Sequence, residues 1–238
     1  MENSVNPDAG TIKIAGLPSL AWFASDVIVR YILETNRINV HLQFNQASTY
    51  AQLREHLLSG KVDLIFSTEI KDSRVASMYI GEHPLILLVP ETHPLAQCDG
   101  VKLRMLDGED FIAFSNNCQL REFTDQIFHV LDIHPSVKTE TTQDLIMNGL
   151  VAAGHVVAIM PYPLCGAPYH TKIVPIMDEL PPRQVYLMWN RDQYLTPLAE
   201  CFLDFAMQNG VIFSQFLNKI IKLNSKKQEK AYAIEQAD

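Results

Sequence analysis

Val151-Ala-Ala-Gly-His-Val-Val-Ala-Ile-Met-Pro161 holds, within eleven residues, a helix end, a glycine stop, a buried strand and a proline. Just ahead of it, Asp144 to Ala153 reads as a helix with Leu145, Ile146, Leu150 and Val151 on one apolar face. Gly154 stands at the C′ position, where glycine takes positive φ without steric cost. Val156 to Met160 is then an unbroken apolar run, as expected of a strand covered on both faces of a parallel sheet. Ligands of such sheets bind beside the loops at the carboxyl ends of the strands. Ordinary α/β packing accounts for the segment as well as a binding site does.

The same alternation extends in both directions. Toward the N-terminus the pattern predicts strand Thr11–Gly16, helix Ser19–Glu34, strand Val40–Phe44, helix Tyr50–Ser59 closed by Gly60, and strand Val62–Ser67. Pro84 to Val89 is another strand, after which Pro90, Pro94 and the polar Gln97–Gly100 break the rhythm. A second α/β series follows: strand Phe111–Phe114, helix Gln119–Leu131, strand Ser136–Glu140, helix Asp144–Ala153 and strand Val156–Met160. Strand Val185–Trp189 comes after Pro181-Pro182, and Thr196-Pro197 opens a helix with threonine as N-cap and proline at its first position. Repeated βαβ units of this length imply parallel sheets with right-handed crossovers. No internal repeat or low-complexity tract is evident in the sequence.

A hydrophobic content of 47% in 238 residues is ample for a packed core. No apolar run reaches the ~20 residues needed to span a bilayer, and the N-terminus lacks the basic and apolar regions of a signal peptide. Cys98, Cys118, Cys165 and Cys201 are widely spaced, which argues against a zinc site or a disulfide framework and for a reducing, cytoplasmic setting. With 27 acidic against 19 basic residues the formal charge is −8, unfavourable for direct contact with nucleic acid phosphates. Lys219, Lys222, Lys226, Lys227 and Lys230 are interleaved with Phe216, Leu217, Ile220, Ile221 and Leu223 at helical spacing. This is read as a helix packing on the body or on a partner, with a membrane surface as the lesser alternative. The eight histidines are scattered, and no G-x-S-x-G, H-E-x-x-H or glycine-rich phosphate loop is present, so neither catalysis, a metal nor a cofactor is expected.

Five stretches, in order, resemble one family. Ile14-Ala-Gly-Leu-Pro-Ser-Leu20, Gly60-Lys-Val-Asp-Leu-Ile65, Pro84-Leu-Ile-Leu-Leu-Val-Pro-Glu-Thr-His-Pro-Leu-Ala96, the Val151–Pro161 segment and Leu195-Thr-Pro-Leu-Ala-Glu-Cys-Phe202 together resemble the effector-binding domain of LysR-type transcriptional regulators. The resemblance implies an α/β fold of the periplasmic-binding-protein type II kind, with two subdomains and a double crossing near Val89-Pro90 and Asn190-Arg191. Subdomain I would take residues 11–90 and 191–215 and subdomain II residues 91–190. Residues 1–10 would be a linker remnant and 216–238 a C-terminal tail. It further implies a small-molecule effector, a homodimer formed through the helix Ser19–Glu34, with its Trp22, Phe23, Val27, Tyr31 and Ile32, and DNA contact only through a helix-turn-helix domain that this chain lacks. The chain therefore reads as an excised regulatory domain, with a natural regulator fragment that acts without touching DNA as the lesser alternative. A solute-binding protein of a transporter shares the fold and is the alternative; it would be monomeric.

In a two-lobed binding fold, helix N-termini offer unpaired N–H groups and a positive dipole end to an anion. Three carry hydroxyls or amides: Ser19 with Leu20, Ser48 with Thr49, and Ser115 with Asn116 and Asn117. Each could equally be an N-cap serving its own helix. Carried over by position, these loops and the segment at His155 and Val156 fall on the family's effector contacts. Many relatives have a second glycine where Val156 stands, and valine resists positive φ. Arg121 could fork onto an effector carboxylate or pair with Glu122 or Asp125. Cys118-Gln-Leu-Arg121 approaches the reactive-cysteine motif of peroxide-sensing members, but no resolving cysteine follows before Cys165.

Overall fold

A computed structural model of the chain describes residues 10–37, 39–47, 49–165, 170–208 and 213–222. Its named elements are β1 (Gly10–Gly16), α1 (Ala21–Thr35), β2 (Val40–Gln46), α2 (Tyr50–Leu58), β3 (Leu64–Ser67), β4 (Val75–Glu82), β5 (Leu85–Pro90), β6 (Asp110–Phe114), α3 (Gln119–Leu131), β7 (Ser136–Thr141), α4 (Asp144–Ala152), β8 (Ala158–Pro161), β9 (Thr171–Pro175), β10 (Gln184–Asn190) and α5 (Pro197–Gln208). Residues 213–222 are helical as well, and of the expected basic tail only this part lies within the described residues. The chain divides into two units, with boundaries at Glu82/His83, Pro182/Arg183 and Phe213/Ser214.

In the first unit the sheet runs β2-β1-β3-β10-β4. β1 pairs in parallel with β2 and β3, whereas β10 is antiparallel to both β3 and β4. The apolar stripe of α1 that holds Phe23, Val27 and Tyr31 is buried. Phe23 meets Phe66 edge-on at 5.7 Å and Phe213 at 4.9 Å, while Tyr31 lies against Phe202 and Phe205 of α5 at 5.1 and 5.3 Å. Contacts of this kind add about 0.5–1.5 kcal/mol each beyond the area they bury. Asn36 ends α1 in the left-handed conformation (φ 53°), which a short amide side chain tolerates. Thr196 does cap α5, accepting the Ala199 N–H at 3.2 Å.

The second unit contains a three-stranded sheet, β8-β5-β9, and the parallel pair β6-β7. A parallel bridge between Phe111 and Val157 joins them. Read through that bridge, the order is β7-β6-β8-β5-β9, the same arrangement as β2-β1-β3-β10-β4. Both faces of this sheet are covered. Val157 and Ile159 fall in a core with Leu87, Val89, Phe111 and Phe128. Val156, Ala158 and Met160 fall in another with Ile86, Leu88, Phe114, Met147 and Val151. Alternation between two cores explains why Val156–Met160 shows no polar residue.

Several expectations need correction. The sheets are mixed rather than parallel, because β5 pairs antiparallel with β8 and β9, as β10 does with β3 and β4. Those pairings also move the crossings: β5 belongs to the second unit and β10 to the first, so the chain crosses before each strand and not near Val89-Pro90 and Asn190-Arg191. Strands β4 and β9 are additions to the pattern expected from sequence. On α4 the buried residues are Met147, Asn148 and Val151, whereas Leu145 and Ile146 are 79% and 48% exposed. Gly154 has φ +93°, as its C′ position requires, and Val156 has no positive φ.

Asp72, ahead of β4, receives the Arg54 Nε of α2 at 2.8 Å, the Arg74 backbone N–H at 3.0 Å and the Arg74 Nε at 3.1 Å. Hydrogen bonds from Arg74, then from Arg54, hold its carboxyl well below the ordinary carboxylate range. A depressed folded-state value means stability that is present above the unfolded value and lost as pH falls through the folded one. Asp72→Asn should therefore melt lower than the parent at pH 7, and that difference should shrink as both are titrated below the usual carboxylate range. In α4, a Cβ added at Gly149 would meet nothing within 4 Å, so Gly149→Ala should raise stability by about 0.5–1 kcal/mol. Gly154→Ala should lower it, because its φ and not its surroundings forbids a side chain. Chemical denaturation of both variants checks this pair.

Candidate functional site

The three helix starts singled out by sequence behave differently. Thr49 is the N-cap of α2, its Oγ1 accepting the Gln52 N–H at 3.3 Å. Ser48 lies outside the described residues. Ser19 does not cap α1: it falls in a 3₁₀ turn, Pro18–Leu20, and the N-cap of α1 is Leu20, which makes no side-chain cap bond. The Ser19 hydroxyl instead accepts Arg183 Nη2 at 3.3 Å. Leu20 is fully buried, so its side chain is core.

Ser115 does not cap α3 either. The N-cap there is Cys118, again with no side-chain bond, and Cys118 N donates to the Ser115 carbonyl at 2.9 Å. Ser115 N is spent on the Thr141 carbonyl at 2.9 Å, tying the end of β6 to that of β7. Its half-buried hydroxyl makes no hydrogen bond among the described residues, and Asn116 beside it is exposed. Ser19 and Ser115 thus occupy corresponding places, each in the turn between the first parallel strand of its unit and the helix that follows.

Arg121 is committed within the second unit. Its Nε meets both Asp125 oxygens at 2.9 and 2.8 Å, and Nη1 reaches Glu140 Oε1 at 2.6 Å and the Phe114 carbonyl at 3.0 Å. Its pKa is raised, first by the Glu140 bond. Of the two readings, the pairing with Asp125 is the one the geometry holds, with Glu140 added. His155 is exposed, whereas Val156 is a core residue at 8% exposure.

Sequence reasoning missed two groups in the first unit. Arg183 lies 164 positions from Ser19 and sits just ahead of β10, so only the pairing of β10 with β3 brings it to the Ser19 turn. Ser67, the last residue of β3, is fully buried and its hydroxyl has no hydrogen-bond partner among the described residues. Pairing Gly16 with Gln46 and with Phe66 aligns the carboxyl ends of β1, β2 and β3. The Ser19 turn, the Thr49 cap and Ser67 therefore follow three aligned strand ends, the place where open α/β sheets bind ligands. Among the described residues no group of three His, Cys, Asp or Glu could hold a metal ion, and no helix is long and apolar enough to cross a membrane.

The family model of the LysR substrate binding domain matches residues 6–210. The chain is 29% identical over 209 residues to the uncharacterized HTH-type transcriptional regulator YybE of Bacillus subtilis, covering 86% of this chain and 70% of that protein. It is 26% identical over 213 residues to the transcriptional dual regulator GltC of the same organism, covering 87% and 70%. Among solved structures, the effector binding domain of QuiR in complex with shikimate aligns with TM-score 0.78 at 24% identity, over 85% of this chain and 97% of that one. The regulatory domain of CcmR from Synechocystis PCC6803, in complex with 2-PG, aligns with TM-score 0.73 at 21% identity, over 84% and 97%. These likenesses establish the type II periplasmic-binding-protein-like fold. The chain belongs to the LysR substrate-binding domain family, the effector-binding part of LysR-type transcriptional regulators.

Proposed function

We propose that this chain senses a small anionic metabolite through the loops at the carboxyl ends of its parallel strands, and that it works as a homodimer whose DNA contact is made by a helix-turn-helix domain. The observation that carries the anionic preference is the Arg183–Ser19 pair at the end of β1, next in the sheet to the N-terminus of α2. A guanidinium and a helix N-terminus both favour negative charge, the one through a side chain and the other through backbone N–H groups. Ser115 and Asn116 are the corresponding donors of the second unit, and exposed His155 is a further polar group there. Leu20, Val156 and Arg121 shape or brace these loops without side-chain contact to the effector.

Ser19 and Thr49 separate by experiment. Thr49→Ala removes a cap and should cost about 0.5–2 kcal/mol of stability. Arg183→Ala, which breaks the Ser19 bond and removes the charge, should weaken effector binding by at least about tenfold with a smaller change in unliganded melting temperature. A screen of metabolite carboxylates and phosphates by thermal shift supplies the ligand, since one present at 100 times its dissociation constant adds about 2.7 kcal/mol. If Arg183→Ala binds that ligand as the parent does, the anion assignment fails.

The dimer rests on α1. Its Phe23, Val27 and Tyr31 are core, but Trp22, Val29 and Leu33 form a second stripe at 60%, 51% and 73% exposure. Large apolar side chains aligned on one helix face mark an interaction surface. By the family resemblance the surface opposite it belongs to the second unit of a partner, where Phe123, Ile127 and Val130 of α3 line a groove of about 340 Å³ with Leu180. Light scattering at micromolar concentration should give twice the 26.9 kDa chain mass, and Leu33→Glu should give the monomer. A parent protein that already scatters as a monomer would remove the dimer from this proposal.

A further inference from the structure

Three adjacent strands of the first unit bring Ser67, Tyr186 and Tyr79 into one row: Ser67 of β3 stands directly opposite Tyr186 of β10, and Tyr186 directly opposite Tyr79 of β4. Directly opposed residues share a sheet face, their Cβ atoms about 4.5–5.5 Å apart. The two rings meet edge-on with centroids 5.8 Å apart, so a single cation can lie within about 6 Å of both. Tyr79 is 53% exposed, which leaves the pair open to a ligand. Tyr186 donates its hydroxyl proton to Gln184 Oε1 at 2.6 Å, and its own oxygen remains an acceptor. Ser67, fully buried across the strand pair from Tyr186, has a hydroxyl without a partner among the described residues, a state that native proteins resolve with a ligand or a water. Arg183 precedes Tyr186 by three positions and so belongs to the opposite face of β10, which keeps this row separate from the Ser19 turn.

The charge around the row has one sign. Glu82 lies three positions after Tyr79 and opposite Gln184, and Glu69 lies two positions after Ser67. Neither carboxylate makes an ion pair with Lys or Arg among the described residues. Both are near enough to act on the phenols: the Tyr79 hydroxyl is raised by desolvation and then by Glu82, and the Tyr186 hydroxyl by desolvation and then by Glu69. Aromatic rings beside unneutralised carboxylates attract a cation and repel an anion. The acceptors that remain call for a cation with N–H donors, which a primary ammonium has and a quaternary one lacks.

We infer that the Tyr79–Tyr186 pair with Glu82 is a binding subsite for a small primary amine in its ammonium form. The ammonium lies over the two rings and against the Glu82 carboxylate, while Glu69 adds attraction at longer range. Ser67 closes the buried end of the row, a position that suits a small ligand with its hydration water better than a folded protein surface. The subsite goes beyond the effector reading and does not depend on it, since it uses none of the anion donors. A half-exposed site of this kind binds on the order of millimolar.

The test titrates the purified, tyrosine-ring-labelled chain by NMR at constant ionic strength. The probes are n-butylammonium, the uncharged 1-butanol and a lysine-rich peptide. Butylammonium should shift the ring resonances of Tyr79 and Tyr186, assigned with Tyr79→Leu and Tyr186→Phe, along a saturating curve, and 1-butanol should not. Glu82→Gln and Tyr79→Leu should each raise the dissociation constant at least about threefold, whereas Glu122→Gln, the same charge change on the second unit, should leave it as it is. If butylammonium gives no saturating shift, or 1-butanol gives an equal one, the ammonium subsite is overturned. If binding survives unchanged in a Glu82→Gln, Tyr79→Leu double variant, its assignment to this row is overturned. Tighter binding of the peptide than of butylammonium would overturn the small amine in favour of a protein partner. None of these outcomes bears on whether an anion binds at Arg183.

Discussion

Each unit depends on one antiparallel strand delivered by the chain as it arrives from the other unit. β10 lies between β3 and β4, and β5 lies between β8 and β9. Without them the three parallel strands of each unit would present an open edge with unpaired N–H and C=O groups. The inserted strand satisfies that edge and adds an apolar row to the core: Val185, Leu187 and Met188 in one case, Leu87, Leu88 and Val89 in the other, all essentially inaccessible. It also decides what stands at the carboxyl ends of the parallel strands. An antiparallel neighbour begins where they end, so the residues at the start of β10 become part of the loop region that follows β1 and β3.

That geometry converts ordinary helix starts into unequal ones. Thr49 gives its hydroxyl to its own helix, the usual use of threonine before a first turn. Ser19 and Ser115 stand ahead of the N-caps of their helices, Leu20 and Cys118, so their hydroxyls are not consumed by capping. One is aligned by a guanidinium, and the other is without a bond among the described residues. The 3₁₀ turn Pro18–Leu20 and the Ser115–Cys118 turn thus hold hydroxyls on packed backbone without spending them on a helix cap. Arg121 shows the opposite case: a cation in a suggestive sequence position, fully engaged by Asp125, Glu140 and a carbonyl.

The sequence by itself determined the elements and their class. Periodicity placed α3 at Gln119–Leu131 and β2 and α2 within a residue or two of their ends, and the Thr196-Pro197 signal placed the start of α5, because amphipathic spacing and capping residues act locally. The opening segment was legible for the same reason: Gly154 takes positive φ, and the unbroken run after it is buried on both faces. The order of five short motifs pointed to the LysR family, which the match over residues 6–210 bears out. Strands β4 and β9 escaped, since Val75–Glu82 mixes exposed and buried positions irregularly and Thr171–Pro175 is short.

Only the tertiary structure decided which residues meet. Leu145 and Ile146 are as apolar as Met147 and Val151, yet α4 turns the latter pair inward, a choice made by the strands beneath it and invisible to composition. Arg183 with Ser19, and Ser67 with Tyr186 and Tyr79, are each brought together by strand pairing between segments more than one hundred residues apart. Helix and strand patterns record which face of a segment is buried, because that is a local property with a fixed period. Register and strand order are set by hydrogen bonds and packing between distant segments, which leave no periodic trace in either one.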